Sequence, residues 1–168
     1  MSPRASLARR AAASLYEALL VAAVALVVEF ALLPLLSALS AVPPGGRALP
    51  LLAPLAQAIS LGCLFAVLGF YCVWGWSGGR RTLPMKTWRI AMETATGTNI
   101  GMGTAALRYA AWWIGPAFAM AAYTALRPLG LGRWAVALVA VNYAWALLDP
   151  DRQFLHDRVA GTRLVAAS

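Results

Sequence analysis

Two long apolar stretches limit what this chain can fold into. Residues 11–33 and 55–76 each reach the roughly 20 residues that a helix needs to cross about 30 Å of hydrocarbon. Two shorter apolar stretches, 110–126 and 134–148, follow later in the sequence. Because 61% of the residues are hydrophobic and only 12% are charged, the chain could not hide its apolar surface from water. The sequence therefore predicts an all-α membrane protein, a bundle of four transmembrane helices that forms one domain over residues 1–168.

The positive charges beside these stretches predict an orientation. A net charge of +8 would suggest nucleic acid in a soluble protein, but here the basic residues flank the apolar stretches. A cytoplasmic N-terminus and four spans place eleven of the 14 lysines and arginines inside, as the positive-inside rule favours. Both termini are then cytoplasmic, the partner is the lipid bilayer, and no nucleic acid is expected. The two shorter stretches could instead form buried or re-entrant helices, in which case everything after Trp76 stays inside.

The segment after the first apolar stretch is expected to be an irregular external connection. It runs from Pro34 to Pro54, and it contains further prolines and a Gly-Gly pair. A cleaved signal peptide is the alternative interpretation of the N-terminus, because residues 38–40 resemble a cleavage site. The apolar stretch is too long for a signal core, however, and it carries two glutamates.

A small β element is expected on the cytoplasmic side of the membrane. Trp88, Ile90 and Met92 alternate with neighbours of different polarity, which is the period of a half-buried strand. Residues 162–166 show a weaker version of the same alternation. The two segments are therefore predicted to pair beneath the helices, with a turn near Gly97.

Glu17 is the residue whose position most needs an explanation. It lies inside an apolar stretch, where a carboxylate must face protein, water or a cation. Arg10 precedes it by two helical turns, about 10.5 Å along a helix axis. One interpretation is a structural ion pair, or an arginine that reaches the headgroups and fixes the first span. The other makes Glu17 an ion or proton site tuned by Arg10, because a desolvated carboxylate can exchange a proton near neutral pH. Glu29, about 18 Å farther along the helix, is expected to be an interfacial charge.

Polar side chains also concentrate after the fourth apolar stretch. Asp157 is expected to accept hydrogen bonds from an arginine such as Arg10, Arg89 or Arg108, and so to fix the tail to the bundle. The cytoplasmic polar network predicted here consists of Asp157, His156, Arg158 and Arg108.

The sequence favours neither a metal site nor an enzyme. A single histidine makes a poor metal site, and Cys63 and Cys72 are typical of small core residues. The sequence contains no recognisable catalytic set and no nucleotide-binding glycine loop, so no cofactor is expected.

Four features occur together in the sequence: Arg10, an acid seven positions later, a basic middle segment and the run at 156–162. In this combination the sequence resembles the RDD family of small bacterial membrane proteins. The family is named for one arginine and two aspartates, and the resemblance extends from the first span to the tail. By position, Arg10 matches the family arginine, Glu17 stands where the first aspartate is expected, and Asp157 matches the second. Glutamate keeps the charge of aspartate and adds one methylene. Residues 82–86 stand where members commonly have a Thr, Gly and Lys cluster, and they lack its glycine.

The resemblance implies a bacterial inner-membrane location and leaves two hypotheses about function. One is a small, homo-oligomeric transporter or exchanger, since cation/proton exchange has been proposed for a family member. The other is a non-transporting membrane adaptor that binds a partner through residues 80–98 and the tail. An intramembrane enzyme is a third and weaker alternative.

Overall fold

In a computed structural model of the protein, residues 3–39 and 54–167 are described. They form helices α1 (Leu7–Leu39), α2 (Pro54–Trp76), α3 (Leu83–Thr87), α4 (Met102–Trp112), α5 (Ile114–Leu126), α6 (Val141–Ala144) and α7 (Leu155–Ala160), with strands β1 (Ile90–Thr94) and β2 (Thr162–Ala166). Short 3-10 segments lie at Arg127–Leu129, Gly132–Ala140 and Trp145–Leu147. The described residues group into two compact units. The first draws on Met1–Leu15 and Cys72–Ser168, and the second on Tyr16–Tyr71.

Within the described ranges, α1 and α2 are the two helices that are long and apolar enough to cross a membrane. They coincide with the first and second predicted spans. Only 11% of the most apolar window of α1, and 22% of that of α2, is buried. Large side chains such as Leu26 and Phe30 are more than two-thirds exposed, at 73% and 77%. A core helix of a soluble protein would bury these side chains, so lipid is the environment that suits them.

The third and fourth predicted spans are built from shorter pieces. Residues 110–126 cross a break at Trp113 between α4 and α5, and residues 134–148 consist of 3-10 segments flanking α6. The four-span bundle therefore stays a prediction, while the mostly helical fold with two long apolar helices is confirmed.

Pro116 explains how the chain is arranged at this break. Proline has no N–H, so it cannot donate to the carbonyl of Trp112 one turn earlier. That carbonyl accepts a hydrogen bond from Asn142 Nδ2 at 2.7 Å instead. Trp112 Nε1 in turn donates to the hydroxyl of Tyr143 at 2.8 Å. The polar groups of the fourth apolar stretch thus repair the backbone that proline interrupts.

The first helix continues past Pro34, which was expected to begin an irregular connection. Residues 34–39 are helical, and the hydroxyl of Ser37 donates to the carbonyl of Pro34 at 2.9 Å. A helix tolerates an internal proline when neighbouring groups accommodate the lost bond. Residues 40–53 of the predicted connection, including the last residue of the cleavage-like sequence at 38–40, lie outside the described residues.

The predicted β element is confirmed. Strands β1 and β2 pair antiparallel, with Ile90 opposite Ala166 and Thr94 opposite Thr162. The N-terminal residues pair with β2 as well, because the Ala5 N–H donates to the carbonyl of Leu164 at 3.1 Å. Within the first unit, this pairing attaches the start of the chain to its tail.

Candidate functional site

A buried ion pair links α4 to α7 within the first unit. Arg108 Nε donates to Asp157 Oδ1 at 2.8 Å, and the two side chains are 6% and 1% exposed. Thr162 Oγ1 lies 3.2 Å from the same carboxylate oxygen and donates to it. The guanidinium carbon of Arg108 lies 4.2 Å from the centre of the Trp76 ring, within cation–π range. Each charge is therefore compensated although both are removed from water.

Asp157 stays ionised in this environment. Burial raises the pKa of its carboxyl group, but the charge of Arg108 and the hydrogen bonds from Arg108 and Thr162 outweigh that effect. The net result is a pKa below the ordinary value of 3.8. Asp157 is thus an anion at neutral pH. Its Oδ2 atom has no hydrogen-bond partner among the described residues.

His156 is neutral at physiological pH. Burial lowers its pKa most, the charge of Asp157 opposes this, and the charge of Arg108 adds to the lowering, so the pKa falls from 6.5 to about 3. His156 Nε2 lies 3.9 Å from Asp157 Oδ1, which is too long for a hydrogen bond. The imidazole ring packs instead near the rings of Phe154 and Tyr143, with centroids 5.7 and 5.8 Å away. His156 therefore acts here as an aromatic side chain.

Arg10 attaches the beginning of α1 to the tail. Its Nη2 atom donates to the backbone carbonyl of Arg152 at 2.8 Å, and its guanidinium carbon lies 5.5 Å from the centre of the Phe154 ring. The residue is only 5% exposed. Of the three arginines that the sequence suggested as partners of Asp157, Arg108 is the one that donates to it in the described part of the chain.

Arg158 belongs to a separate, more exposed group. Its Nη1 atom donates to Asp151 Oδ2 at 3.1 Å, and its Nε atom lies 3.6 Å from Asp149 Oδ1. Asp151 also accepts a hydrogen bond from Arg4 Nη1, at 2.7 Å. The hydrogen bond and charge of Arg4 lower the pKa of Asp151. The structure thus places Arg158 with these aspartates, whereas His156, Asp157 and Arg108 lie together.

Glu17 lies in the second unit, on the face of α1 that is turned away from solvent or lipid. It is 8% exposed, while Leu15 and Leu19 on either side are 67% and 64% exposed. The carboxylate therefore faces protein, as its position in an apolar helix requires. Farther along α1, the carboxylate of Glu29 accepts a hydrogen bond from the hydroxyl of Ser60 on α2. Glu29, which was expected to be an interfacial charge, is thus also hydrogen-bonded to a side chain of α2.

Some polar contacts were not predicted from the sequence. Arg163 Nη2 lies 3.3 Å from Glu93 Oε2, and the two residues stand directly opposite each other in the strand pair. The sequence contains opposite charges in the two alternating segments. It does not give the strand register, and the register decides whether the two charges stand opposite each other. The sequence reasoning also gave no role to Asp149. Its Oδ2 atom accepts the backbone N–H groups of Asp151 and Gln153, each at 3.0 Å.

Comparison with known proteins gives one match. A family model described as the RDD family matches residues 4–161, nearly the whole chain. The matched range includes Arg10, Glu17 and Asp157. Comparison with the curated proteins and with the solved structures found no match.

Proposed function

The chain belongs to the RDD family, and from this premise we propose that it is a multi-pass membrane protein that exchanges a cation for protons. We place it in a bacterial inner membrane with both termini in the cytoplasm. Its two long apolar helices and its excess of basic residues beside the apolar stretches support this arrangement.

The observation that carries the proposal is the burial of Glu17. This carboxylate is 8% exposed on a helix whose other faces present large apolar side chains to the outside. An acid at such a position is costly, and membrane proteins use intramembrane acids as proton and cation sites. In the proposed mechanism Glu17 binds a proton or a cation alternately, and the two species compete for one carboxylate.

Arg10 and the buried ion pair have supporting roles in this proposal. Arg10 precedes Glu17 by two helical turns and is held by the carbonyl of Arg152. In the proposal Arg10 is the residue that tunes the proton exchange at Glu17. Arg108 and Asp157 fix the tail that carries Arg152, so they position Arg10 indirectly.

The few helices of one chain supply little surface to line a pathway, so we propose that two or more copies assemble.

Ion flux in proteoliposomes tests the proposal. The protein is reconstituted with a pH-sensitive dye inside the vesicles, and gradients of Na⁺, K⁺ and Li⁺ are applied in turn. We expect a cation-driven pH change with the wild type. We expect none with Glu17→Gln, and we expect retained exchange with Glu17→Asp, which keeps the charge.

Glu29→Gln is the matched control for this experiment, because it makes the same chemical change on the same helix. We expect exchange to persist in that variant. Flux unchanged by Glu17→Gln, or no cation-driven pH change in the wild type with any of the three ions, would contradict the proposed mechanism.

A membrane adaptor is the second candidate, and the surface around Trp88 favours it. Trp88 is 38% exposed, and Lys86 and Arg89 beside it are exposed as well. Arg9 Nη2 donates to the backbone carbonyls of Trp88 and Arg89, at 2.6 and 2.9 Å, which holds this segment in place. A fixed aromatic side chain between two cations is suited to binding a protein partner.

Site-specific crosslinking in cells distinguishes the adaptor from the exchanger. A photoreactive residue at position 86 should capture one defined partner, and Trp88→Ala should abolish capture while Glu17→Gln leaves it intact. The absence of a crosslinked species that depends on Trp88 would rule out this surface as the adaptor site.

A further inference from the structure

A cleft of about 310 Å³ in the first unit is lined by three arginines, Arg4, Arg158 and Arg163. They come from distant parts of the chain, and the pairing of the N-terminal residues with β2 brings them together. Thr162 borders both this cleft and Asp157, but neither Arg108 nor Asp157 lines the cleft, and transport as proposed above gives its arginines no role.

The arginines have many donors to offer a ligand. A guanidinium group carries five N–H donors in a planar fork that fits phosphate oxygens. Arg4 donates to Asp151 through one nitrogen, Nη1. Arg158 uses Nη1 on Asp151 and turns Nε towards Asp149 at 3.6 Å. Most of the donors around the cleft therefore remain available for an acceptor that enters it.

Arg163 provides the second observation. The residue is only 9% exposed, it lines the cleft, and its Nε atom is buried without a hydrogen-bond partner among the described residues. Its hydrogen-bond partner in the described part of the chain is Glu93, which accepts from Nη2 at the long distance of 3.3 Å. A buried cationic donor without an acceptor is costly, so an anion that supplied the acceptor would be bound favourably.

The charges that line the cleft favour an anion. Three arginines and Asp151 give the lining a formal charge of +2. Asp149 and Glu93 pair with Arg158 and Arg163 from outside the lining and offset this formal charge, so the unused guanidinium donors are the main attraction for an anion. Asp151 binds Arg4 and Arg158, one on each of its oxygens, and so competes with an entering anion for their donors. Phosphate, with several oxygens and up to two negative charges, matches this set of planar donors.

We propose that this cleft binds a phosphate group, either as a free phosphate anion or as the headgroup of an anionic phospholipid. Gly161 and Thr162 line the same cleft, and the positive φ of 65° at Gly161 turns the chain between α7 and β2. The arginines bind the phosphate oxygens through charge-assisted hydrogen bonds, and Arg163 Nε gains the acceptor that it lacks.

Binding measurements on the purified full-length protein test the proposal. Inorganic phosphate and pyrophosphate are titrated into detergent-solubilised protein by calorimetry. In a second arm, retention of phosphatidylglycerol and of phosphatidylcholine is compared by native mass spectrometry. Saturable binding of phosphate or pyrophosphate without phosphatidylglycerol retention identifies a free anion as the ligand. Selective retention of phosphatidylglycerol identifies the lipid headgroup.

Three variants make the test specific. Arg163→Gln should weaken binding about tenfold or more, the usual effect of losing one charge-assisted hydrogen bond. Asp151→Asn should strengthen binding several-fold, because it removes the competing carboxylate from the lining. Lys86→Gln removes an exposed charge outside the cleft and should leave the Kd unchanged.

Arg163→Gln and Asp151→Asn are expected to change binding in opposite directions, so each variant can contradict the proposal even if the other folds poorly. A purely structural role of the ion pairs would make Asp151→Asn weaken binding or leave it unchanged, and either result would overturn the proposal. Equal losses in Arg163→Gln and Lys86→Gln would show a general effect of surface charge and would also overturn it. The same conclusion follows if the wild type binds neither inorganic phosphate nor pyrophosphate and does not retain phosphatidylglycerol selectively.

Discussion

Arg108 and Asp157 form a buried ion pair that joins α4 to the tail helix α7, with 2.8 Å between Nε and Oδ1. The two residues are 49 positions apart in the sequence. With side chains 6% and 1% exposed, neither charge has water to compensate it if the other is removed. The pair therefore holds the second acid of the family motif in a fixed place in the first unit.

Asp157→Asn should destabilise the protein strongly, because it leaves the guanidinium of Arg108 buried without a counter-charge. We expect the free energy of unfolding in detergent micelles to fall by about 3–5 kcal/mol. Asp151→Asn is the matched control, since the side chain of Asp151 is 39% exposed and its ion pairs are screened by water. The free energy of unfolding should fall much less in Asp151→Asn than in Asp157→Asn. Similar decreases in the two variants would contradict this account of the pair.

His156 should make stability depend on pH in a defined window. Its pKa is lowered from 6.5 to about 3 by burial. Between these two values the unfolded chain binds a proton that the folded chain does not bind. Stability from this group is therefore complete above 6.5 and falls as the pH falls towards 3. The slope for one proton is at most about 1.4 kcal/mol per pH unit.

The variant His156→Gln isolates this effect. We expect denaturant unfolding between about pH 7 and about pH 4.5 to show a clearly smaller pH slope in the variant than in the wild type. Asp157 does not interfere, because its pKa lies below 3.8 in the folded protein and its contribution is lost only at lower pH. Identical slopes in the two proteins would show that His156 is not buried in the neutral form.

The elements that could be predicted are those with a local signal. The apolar stretch that contains Glu17 and the one that ends at Trp76 became α1 and α2, because length and composition alone determine that a segment is a long apolar helix. The strands around Met92 and Leu164 were predicted because alternation is visible within five residues.

The elements that could not be predicted depend on contacts between distant segments. The sequence offered Arg10, Arg89 and Arg108 to Asp157, and the approach of α4 to α7 decides in favour of Arg108. Arg158 adjoins Asp157 in the sequence but projects to the surface, because neighbouring residues on a helix do not share a face. Apolar runs of about 15 residues likewise fail to distinguish a continuous span from short helical pieces.

Gly115 allows the close approach of α5 to the 3-10 segment Gly132–Ala140. A Cβ atom at this position would lie 2.5 Å from the carbonyl oxygen of Val139, so the backbone would have to move. We expect Gly115→Ala to lower the free energy of unfolding by about 1–3 kcal/mol.

Gly103→Ala is the control for this substitution, because it is also helical and a Cβ there meets nothing within 4 Å. We expect it to stabilise the protein by about 0.5–1 kcal/mol, the usual preference for alanine over glycine in a helix. If Gly115→Ala were equally stabilising, the two segments would not be in the close contact described.

Cysteine accessibility tests the proposed topology. In a background without Cys63 and Cys72, a cysteine at exposed Leu129 should react with a membrane-impermeant reagent from outside the cell. A cysteine at exposed Thr96 should react only after the membrane is opened. If the cysteine at 129 reacts only after opening as well, the third and fourth apolar stretches do not cross the bilayer and the protein has two spans.

Chemical modification of Glu17 tests the proposed exchange of a proton for a cation most directly. Hydrophobic carbodiimides attach to protonated carboxyl groups within membranes, and mass spectrometry identifies the modified residue. We expect modification of Glu17 in membranes, slowed by whichever of Na⁺, K⁺ or Li⁺ is exchanged, with no modification at position 17 in Glu17→Gln. No modification of Glu17 in the wild type, or a rate that none of these cations changes, would contradict the proposal that this carboxylate carries protons and cations in turn.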